Sequence, residues 1–524
     1  MYPGGGRVVC GGPPRTMMEA PLPGVRTHIP SHPSPGRSRW SPWALGLALL
    51  VLTACPQGGP SASGGRKLAL SPCRLEGLAT QAQCGTYEVF EDRAAKSGRK
   101  LPLRVVVVPA LASQPEPDPL VLLAGGPGQA ASRVQVLMAL ERIRRKRDIV
   151  LVDQRGTGDS HPLECEPHAL TAGLAERFDD TGAVEKVRAC REQWAADVRH
   201  YTTPHAMDDL DEVRAALGYE KVNLWGVSYG TRAALVFMRQ HPERVRTAIL
   251  DGVAPMSLYL PLNAPRDGQQ ALEKLLAHCE KDAACARAYP ELRPRTEALL
   301  AKLEAEPVRV RVPHPRTGVP EDLALSRRAF LSELFSLLYS PEVASLVPLM
   351  LDRAARGDWA PFVALSVGLS EGQRRTVSHG LYYAVVCAED APFFDKAAVE
   401  REAKGTWFGP DMGLATLAIC EGWPRATLPP GYREPVTSDV PTLLLSGELD
   451  PVTPPAWAEE AKRTLSRSLH VVVPGVGHNT LGADCARTLM AELLERGSVE
   501  GLTPSCGSNL ARPPFFTSFA GPVP

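Results

Sequence analysis

The stretch that most constrains this chain is KVNLWGVSYGT, Lys221–Thr231. Val222, Asn223, Leu224 and Trp225 read as a short buried strand. Gly226-Val227-Ser228-Tyr229-Gly230 follows as a G-x-S-x-G pentad. In the next segment, TRAALVFMRQH, Ala234, Leu235 and Met238 recur at helical spacing. Strand, sharp turn and helix form the setting in which such a pentad carries chemistry. The turn forces the serine into a strained backbone conformation. Glycines at 226 and 230 remove the side chains that would collide there. Ser228 is therefore the candidate nucleophile, its hydroxyl held at the top of a sheet.

The rest of the chain supplies that sheet. Thr86–Glu91 and Leu103–Val108 read as an antiparallel pair. Pro119–Ala124 is a continuous apolar run, as expected of a buried central strand, and the mainly apolar Asp148–Val152, Arg246–Leu250, Pro441–Leu445 and Leu469–Val473 read as further strands. Helical patterns alternate with them, at Ala130–Arg142, Thr203–Leu217 and Ala483–Arg496. Asp208, Asp209 and Asp211 are placed near the start of the second of these, where the helix dipole favours acids. The alternation predicts an α/β fold with a mostly parallel sheet flanked by helices. It is interrupted from Pro255 to about Pro435, where the pattern is helical except for a possible hairpin, VRVRVPHPRTGVPEDLAL. The predicted organisation is core at 67–254, an inserted helical lid at 255–435, and core again at 436–524.

A serine hydroxyl needs a base, and the base needs an orienting acid. His478, in Gly475-Val476-Gly477-His478-Asn479, follows the last predicted strand. His470 is the other histidine in that segment, but it begins a strand. For the acid, Asp450 in SGELDPVTPP is preferred, because its loop adjoins the His478 strand. Asp251, at the end of the preceding strand, is the rival and is expected to brace the turn into the lid. The chain order Ser, Asp, His is that of the α/β-hydrolase fold. The oxyanion donors expected are the N–H of Tyr229 and one from Gly125-Gly126-Pro127-Gly128. No phosphate-loop Lys-Ser/Thr follows those glycines.

Together, GGPG after a strand, DQRGTGDS, GVSYGT, GELDPVTP and GVGH resemble the prolyl aminopeptidase and tripeptidyl aminopeptidase-like serine peptidases of the α/β-hydrolase fold. The resemblance runs from about Gly85 to the C-terminus. It implies a triad of Ser228, Asp450 and His478, oxyanion donors at Gly126 and Tyr229, and an exopeptidase acting near free N-termini on peptide substrates. Prolyl aminopeptidases usually carry His before GGPG. Here that position is Ala124, which favours the tripeptidyl type. Asp153 and Arg155 read as structural. Lid carboxylates read the substrate amine in the resembling enzymes, and Glu389 and Asp390 in VVCAEDAPFF are the candidates here. An esterase with the same triad, and a lipoprotein that only binds peptides, are the competing readings.

Residues 1–55 carry five arginines against one acid, then an apolar run ending Leu52-Thr53-Ala54-Cys55. This reads as a secretory signal with a lipobox, Cys55 becoming the lipidated first residue of an exported, membrane-anchored protein. Residues 56–66, rich in Gly, Ser and Pro, read as a tether. Of twelve cysteines, ten lie beyond the leader. Export and their sequential spacing predict the disulfides Cys73–Cys84, Cys165–Cys190, Cys279–Cys285, Cys387–Cys420 and Cys485–Cys506. On one continuous helix Cys279 and Cys285 would point apart. The chain has a formal net charge of zero, which points to no nucleic-acid partner. No C-x-x-C or other metal pattern occurs, and no cofactor is called for.

Overall fold

The apolar runs do become strands: β1 (Ser71–Cys73), β2 (Ala82–Phe90), β3 (Lys100–Val108), β4 (Leu120–Leu123), β5 (Ile149–Val152), β6 (Val222–Val227), β7 (Val245–Asp251), β8 (Val308–Pro313), β9 (Pro320–Leu325), β10 (Thr442–Gly447) and β11 (Ser468–Val473). This computed structural model describes residues 68–133, 137–164, 173–374, 377–504, 506 and 511–522. The expected leader with Cys55, the tether and Cys165 lie outside the described residues. Nine strands form one sheet in the order β1-β2-β3-β5-β4-β6-β7-β10-β11. The first three are antiparallel, and β5, β4, β6, β7, β10 and β11 run parallel.

The central strands are sealed on both faces, which is why they read as unbroken apolar runs. Val121 and Leu123 of β4 join one core with Val150, Leu224 and Leu250. Leu120 and Leu122 join the opposite core with Leu151, Trp225 and Ile249. The helices Thr203–Leu217 and Tyr229–Gln240 cover the first face, and Asp484–Arg496 covers the second.

Between β7 and β10 lies the mainly helical segment, with helices from Ala264–Lys281 to Asp411–Cys420 and the β8–β9 hairpin. It has its own core around Phe330, Leu334, Val347 and Phe362. That core also takes Leu174, Phe178 and Phe515, which lie outside 255–435 in sequence. The segment is therefore stitched to the rest of the chain at two separate places, the turn holding Leu174 and Phe178, and Phe515.

Two local expectations are corrected. The stretch expected as a helix at Ala130–Arg142 is broken into short turns, Ala131–Arg133 and Leu137–Leu140, before one α-turn at Glu141–Arg144. The Ser132 N–H and hydroxyl both bind the Asp153 carboxylate at 2.8 Å, which commits that turn to the neighbouring loop. In the Thr203–Leu217 helix no acid lies in the first turn. Asp208 and Asp209 instead pair with Arg93, Asp209 also with Arg155, and Asp211 with Arg214. Side-chain partners, rather than the dipole, account for these acids.

Four of the expected disulfides are present: Cys73–Cys84, Cys279–Cys285, Cys387–Cys420 and Cys485–Cys506. Cys190 is also disulfide-bonded. Cys279 and Cys285 meet because the helix ends at Lys281. Asp282 is extended, and its carboxylate caps the next helix through the Ala284 and Cys285 N–H groups.

Candidate active site

The strand order reverses at β4, with β5 on one side and β6 on the other. The crevice beyond the carboxyl ends of β4 and β6 is the place where such sheets bind ligands. Ser228 stands there, with φ +56° and ψ −125° between β6 and the Tyr229–Gln240 helix. The pentad glycines are required by close approach: a Cβ on Gly226 would lie 2.3 Å from the Gly230 carbonyl oxygen, and one on Gly230 2.0 Å from that of Leu123. Gly125, just past β4, lies against the serine, since a Cβ there would be 3.2 Å from Ser228 Cβ.

His478 and Asp450 come from the loops after β11 and β10. The His478 Nδ1 lies 3.0 and 2.9 Å from the two Asp450 carboxylate oxygens, an arrangement in which Nδ1–H donates and Nε2 is left to accept. Asp450 also accepts from the Val452 and Thr453 N–H groups and the Thr453 hydroxyl, each at 2.8 Å. Burial opposes its charge, but His478 and these donors outweigh it, so the carboxyl sits below its ordinary pKa. For His478, burial acts to lower the pKa. Asp450, with a smaller contribution from Asp251, outweighs it and holds the imidazole above its ordinary value. Tyr339 holds the residue further: its carbonyl accepts the His478 main-chain N–H at 2.8 Å, and its ring meets the imidazole edge-on at 5.2 Å.

Asp251 links the two halves of the site. Its carbonyl accepts the Ser228 N–H at 2.9 Å, and its carboxylate accepts the Thr480 N–H at 2.9 and 3.1 Å. It braces the turn after His478, rather than the turn into the helical segment. Burial pushes its carboxyl up to about 7. A Cβ on the next residue, Gly252, would lie 3.4 Å from His478 Cε1. Among the described residues no hydrogen bond joins Ser228 Oγ to His478; such contacts tighten when substrate binds. His470 is fully committed elsewhere, to Glu459 at 2.6 Å and Ser446 at 2.9 Å.

At the oxyanion position, Gly125 N–H donates to Gln129 Oε1 at 3.1 Å. The Gly126 and Tyr229 N–H groups have no protein acceptor among the described residues. Asp153 is buried and binds Ser132, and Arg155 is buried against Asp209, as their structural reading requires.

The reading of Glu389 and Asp390 as amine binders is corrected. Both are 0% exposed. Glu389 accepts from the Thr203 N–H and hydroxyl and from the Tyr432 hydroxyl. Asp390 is held by Arg232 and Arg433. Neither has an oxygen free for a substrate ammonium.

Sequence reasoning missed Thr453 and Tyr339. Thr453 was findable, as a hydroxyl residue three places after Asp450 that can turn back on it. Tyr339 arrives from the helical segment and has no local signature. A cavity of about 290 Å³, lined among others by Phe178, Pro265, Arg328, Phe335 and Asp411, contains none of Ser228, Asp450 and His478. Its Phe335 ring packs on Tyr339, which in turn touches His478. Among the described residues no group of three potential ligands is gathered for a metal ion.

Residues 118–286 match the family described as alpha/beta hydrolase fold, and residues 405–506 the family described as TAP-like protein. The chain is similar to serine protease Hip1 of Mycobacterium tuberculosis, 27% identical over 516 residues, covering 89% of this chain and 96% of that protein. It is 30% identical to the tripeptidyl aminopeptidase of Streptomyces coelicolor over 188 residues, 33% of this chain and 35% of the other. With a probable proline iminopeptidase of the same organism it shares 34% identity over 145 residues, 27% of this chain and 34% of the other.

Proposed function

This chain is an α/β-hydrolase-fold enzyme with a TAP-like C-terminal segment, and from that premise we propose that it is an exported serine exopeptidase cleaving peptide bonds near free N-termini. One observation carries the reading: a serine in the strained elbow conformation at the sheet's switch point, its N–H on the carbonyl of Asp251, whose carboxylate holds the turn after a histidine tethered to a buried aspartate. Similarity to serine protease Hip1 along nearly the whole chain supports a peptide as substrate.

In this reading Ser228 Oγ attacks the scissile carbonyl carbon while His478 Nε2 takes its proton. Asp450 keeps His478 in the Nδ1–H form and stabilises the imidazolium. The oxyanion is met by the Gly126 and Tyr229 N–H groups. The C–N bond then breaks, and His478 returns the proton to the leaving amine. A water, deprotonated by His478, attacks the acyl-enzyme carbonyl; the bond to Ser228 Oγ breaks, His478 returns the proton to Oγ, and the carboxylic acid leaves. The helical segment acts as a lid, with Tyr339 as its contact to the base. Export follows the leader, with Cys55 as the lipidated residue.

The test is a panel of aminoacyl- and tripeptidyl-anilides with free and acetylated N-termini, beside short acyl esters. Cleavage of free-amine anilides is expected. Activity on esters alone would replace the peptidase reading with an esterase, and no turnover at all would favour a peptide-binding protein.

A further inference from the structure

A strained elbow must be over-determined by its surroundings. Part of that constraint at Ser228 is local. The Thr231 hydroxyl donates to the Ser228 carbonyl at 2.7 Å and itself accepts the Ala254 N–H. The remainder comes from far away in sequence. Glu389 and Asp390 end the His379–Glu389 helix and reach the first turn of the Tyr229–Gln240 helix on two side chains three residues apart.

The first link runs from the Tyr229 phenol to the Thr203 hydroxyl at 2.7 Å, and from Thr203 to Glu389 through its hydroxyl at 2.8 Å and its N–H at 2.6 Å. The Tyr432 hydroxyl closes the set on Glu389. With Glu389 as a carboxylate, all donors point one way, from Tyr229 to Thr203 to Glu389, and each is used once. The second link is Arg232, whose guanidinium meets both Asp390 oxygens at 3.1 Å and donates to the Leu258 carbonyl at 2.6 Å. Arg433 adds a bond to Asp390 at 3.2 Å and one to the Glu389 carbonyl at 3.3 Å. Two carboxylates and two guanidiniums thus balance in the interior. Such a buried set is rigid when complete and costly when one member is removed.

Tyr229 is the residue whose main-chain N–H faces the oxyanion in the proposed mechanism. Its side chain is 2% exposed and can contact no substrate atom directly. We propose that Glu389 and Asp390 are positioning residues, which clamp the first helical turn after Ser228 through Tyr229–Thr203 and Arg232 and so hold the Tyr229 N–H on the oxyanion. The proposal rests on Ser228 being the nucleophile. It gives the helical segment a role in the chemical step, since the clamp lies at the end of one of its helices, beside the Cys387–Cys420 disulfide.

The experiment compares Ser228→Ala, Tyr229→Phe, Thr203→Val, Thr203→Ser and Glu389→Gln on one anilide substrate, with thermal melting for each. Tyr229→Phe removes a single oxygen and leaves the N–H in place. It should lower kcat about tenfold or more, less than the 10²–10³ lost with an oxyanion donor itself, with KM unchanged. Affinity for a peptide boronate, which mimics the tetrahedral state, should fall by the same factor. Affinity for the peptide product should not change. Thr203→Ser keeps both donors and should restore most of what Thr203→Val loses. A raised KM at unchanged kcat, a loss confined to free-amine substrates, or wild-type kinetics in Tyr229→Phe would overturn the clamp. If Glu389→Gln fails to fold, Tyr229→Phe and the Thr203 pair decide alone. Retained activity in Ser228→Ala would instead overturn the underlying site, so the two failures are distinct.

Discussion

Ser228 occupies a backbone region that non-glycine residues rarely enter, as the proposed nucleophile role would require. Ser228→Ala should fold and melt as the parent does and lose about 10⁶ in kcat, measured on the best anilide substrate. The acid–base partner makes its own demand on pH. His478 must be neutral to accept a proton, and its pKa is held above 6.5. The acid limb of kcat/KM should therefore have its midpoint above 6.5, and Asp450→Asn should move the midpoint down while cutting the rate. Asp251 acts in the opposite sense on stability. Its folded pKa of about 7 exceeds the ordinary 3.8, so the native state keeps a proton that the unfolded chain releases. Its contribution is thus present below the ordinary value and is lost as pH rises through about 7, by at most about 1.4 kcal/mol per unit. Asp251→Asn mimics the protonated form. Its stability relative to the parent should rise between pH 4 and 7 and level off above, as read by urea unfolding at pH 5 and 8; a constant difference would exclude this role.

At the scale of elements, the site depends on where strands end. The sequence shows those ends clearly, because doubly buried strands are apolar runs that stop at the candidate site residues, GGPG after β4, the pentad at the end of β6 and GELDP at the end of β10, or at the structural DQRG after β5. Chain order then identified Asp450 and His478, which the fold brings to 2.9 Å. What could not be read were contacts that sequence separation hides. In the sequence Glu389 and Asp390 look available to a substrate amine until Arg232, Arg433, Thr203 and Tyr432 are placed around them. The helix expected at Ala130–Arg142 had the right period, but Ser132 was already claimed by Asp153. Arg155 shows how such loops are held. Its guanidinium is fully buried, binds Asp209 at 2.7 and 2.8 Å, and donates to the carbonyls of Glu91 and His200 at 2.9 and 2.8 Å. It ties the β5 loop to the β2–β3 hairpin and the Thr203–Leu217 helix. Arg155→Ala should cost about 3–5 kcal/mol in chemical unfolding, because it strands a buried carboxylate and several carbonyls. A loss under 1 kcal/mol, the range of an exposed pair, would show that the loop is held by other contacts.

Taken whole, the molecule is a sheet domain whose helical segment shares cores with it, and it is stapled near both ends of the described chain by Cys73–Cys84 and Cys485–Cys506. Such stapling fits folding in an oxidising compartment. Among the described residues no helix is long and apolar enough to cross a membrane. The proposed lipidation of Cys55 would supply an attachment, holding the enzyme where it can meet soluble peptides at the membrane surface. One acyl chain binds membranes only marginally and two bind stably, because each buried methylene adds about 0.8 kcal/mol. The full-length chain expressed in a bacterial host should therefore fractionate with membranes, resist high salt and be released by detergent. Intact-mass analysis should find a processed chain beginning at a lipidated Cys55. Cys55→Ser should appear in the soluble exported fraction with unchanged kcat and KM on anilide substrates, since Cys55 is none of the proposed catalytic residues. Membrane retention of Cys55→Ser, or an unmodified N-terminus in the parent, would rule out the anchor while leaving the peptidase reading intact.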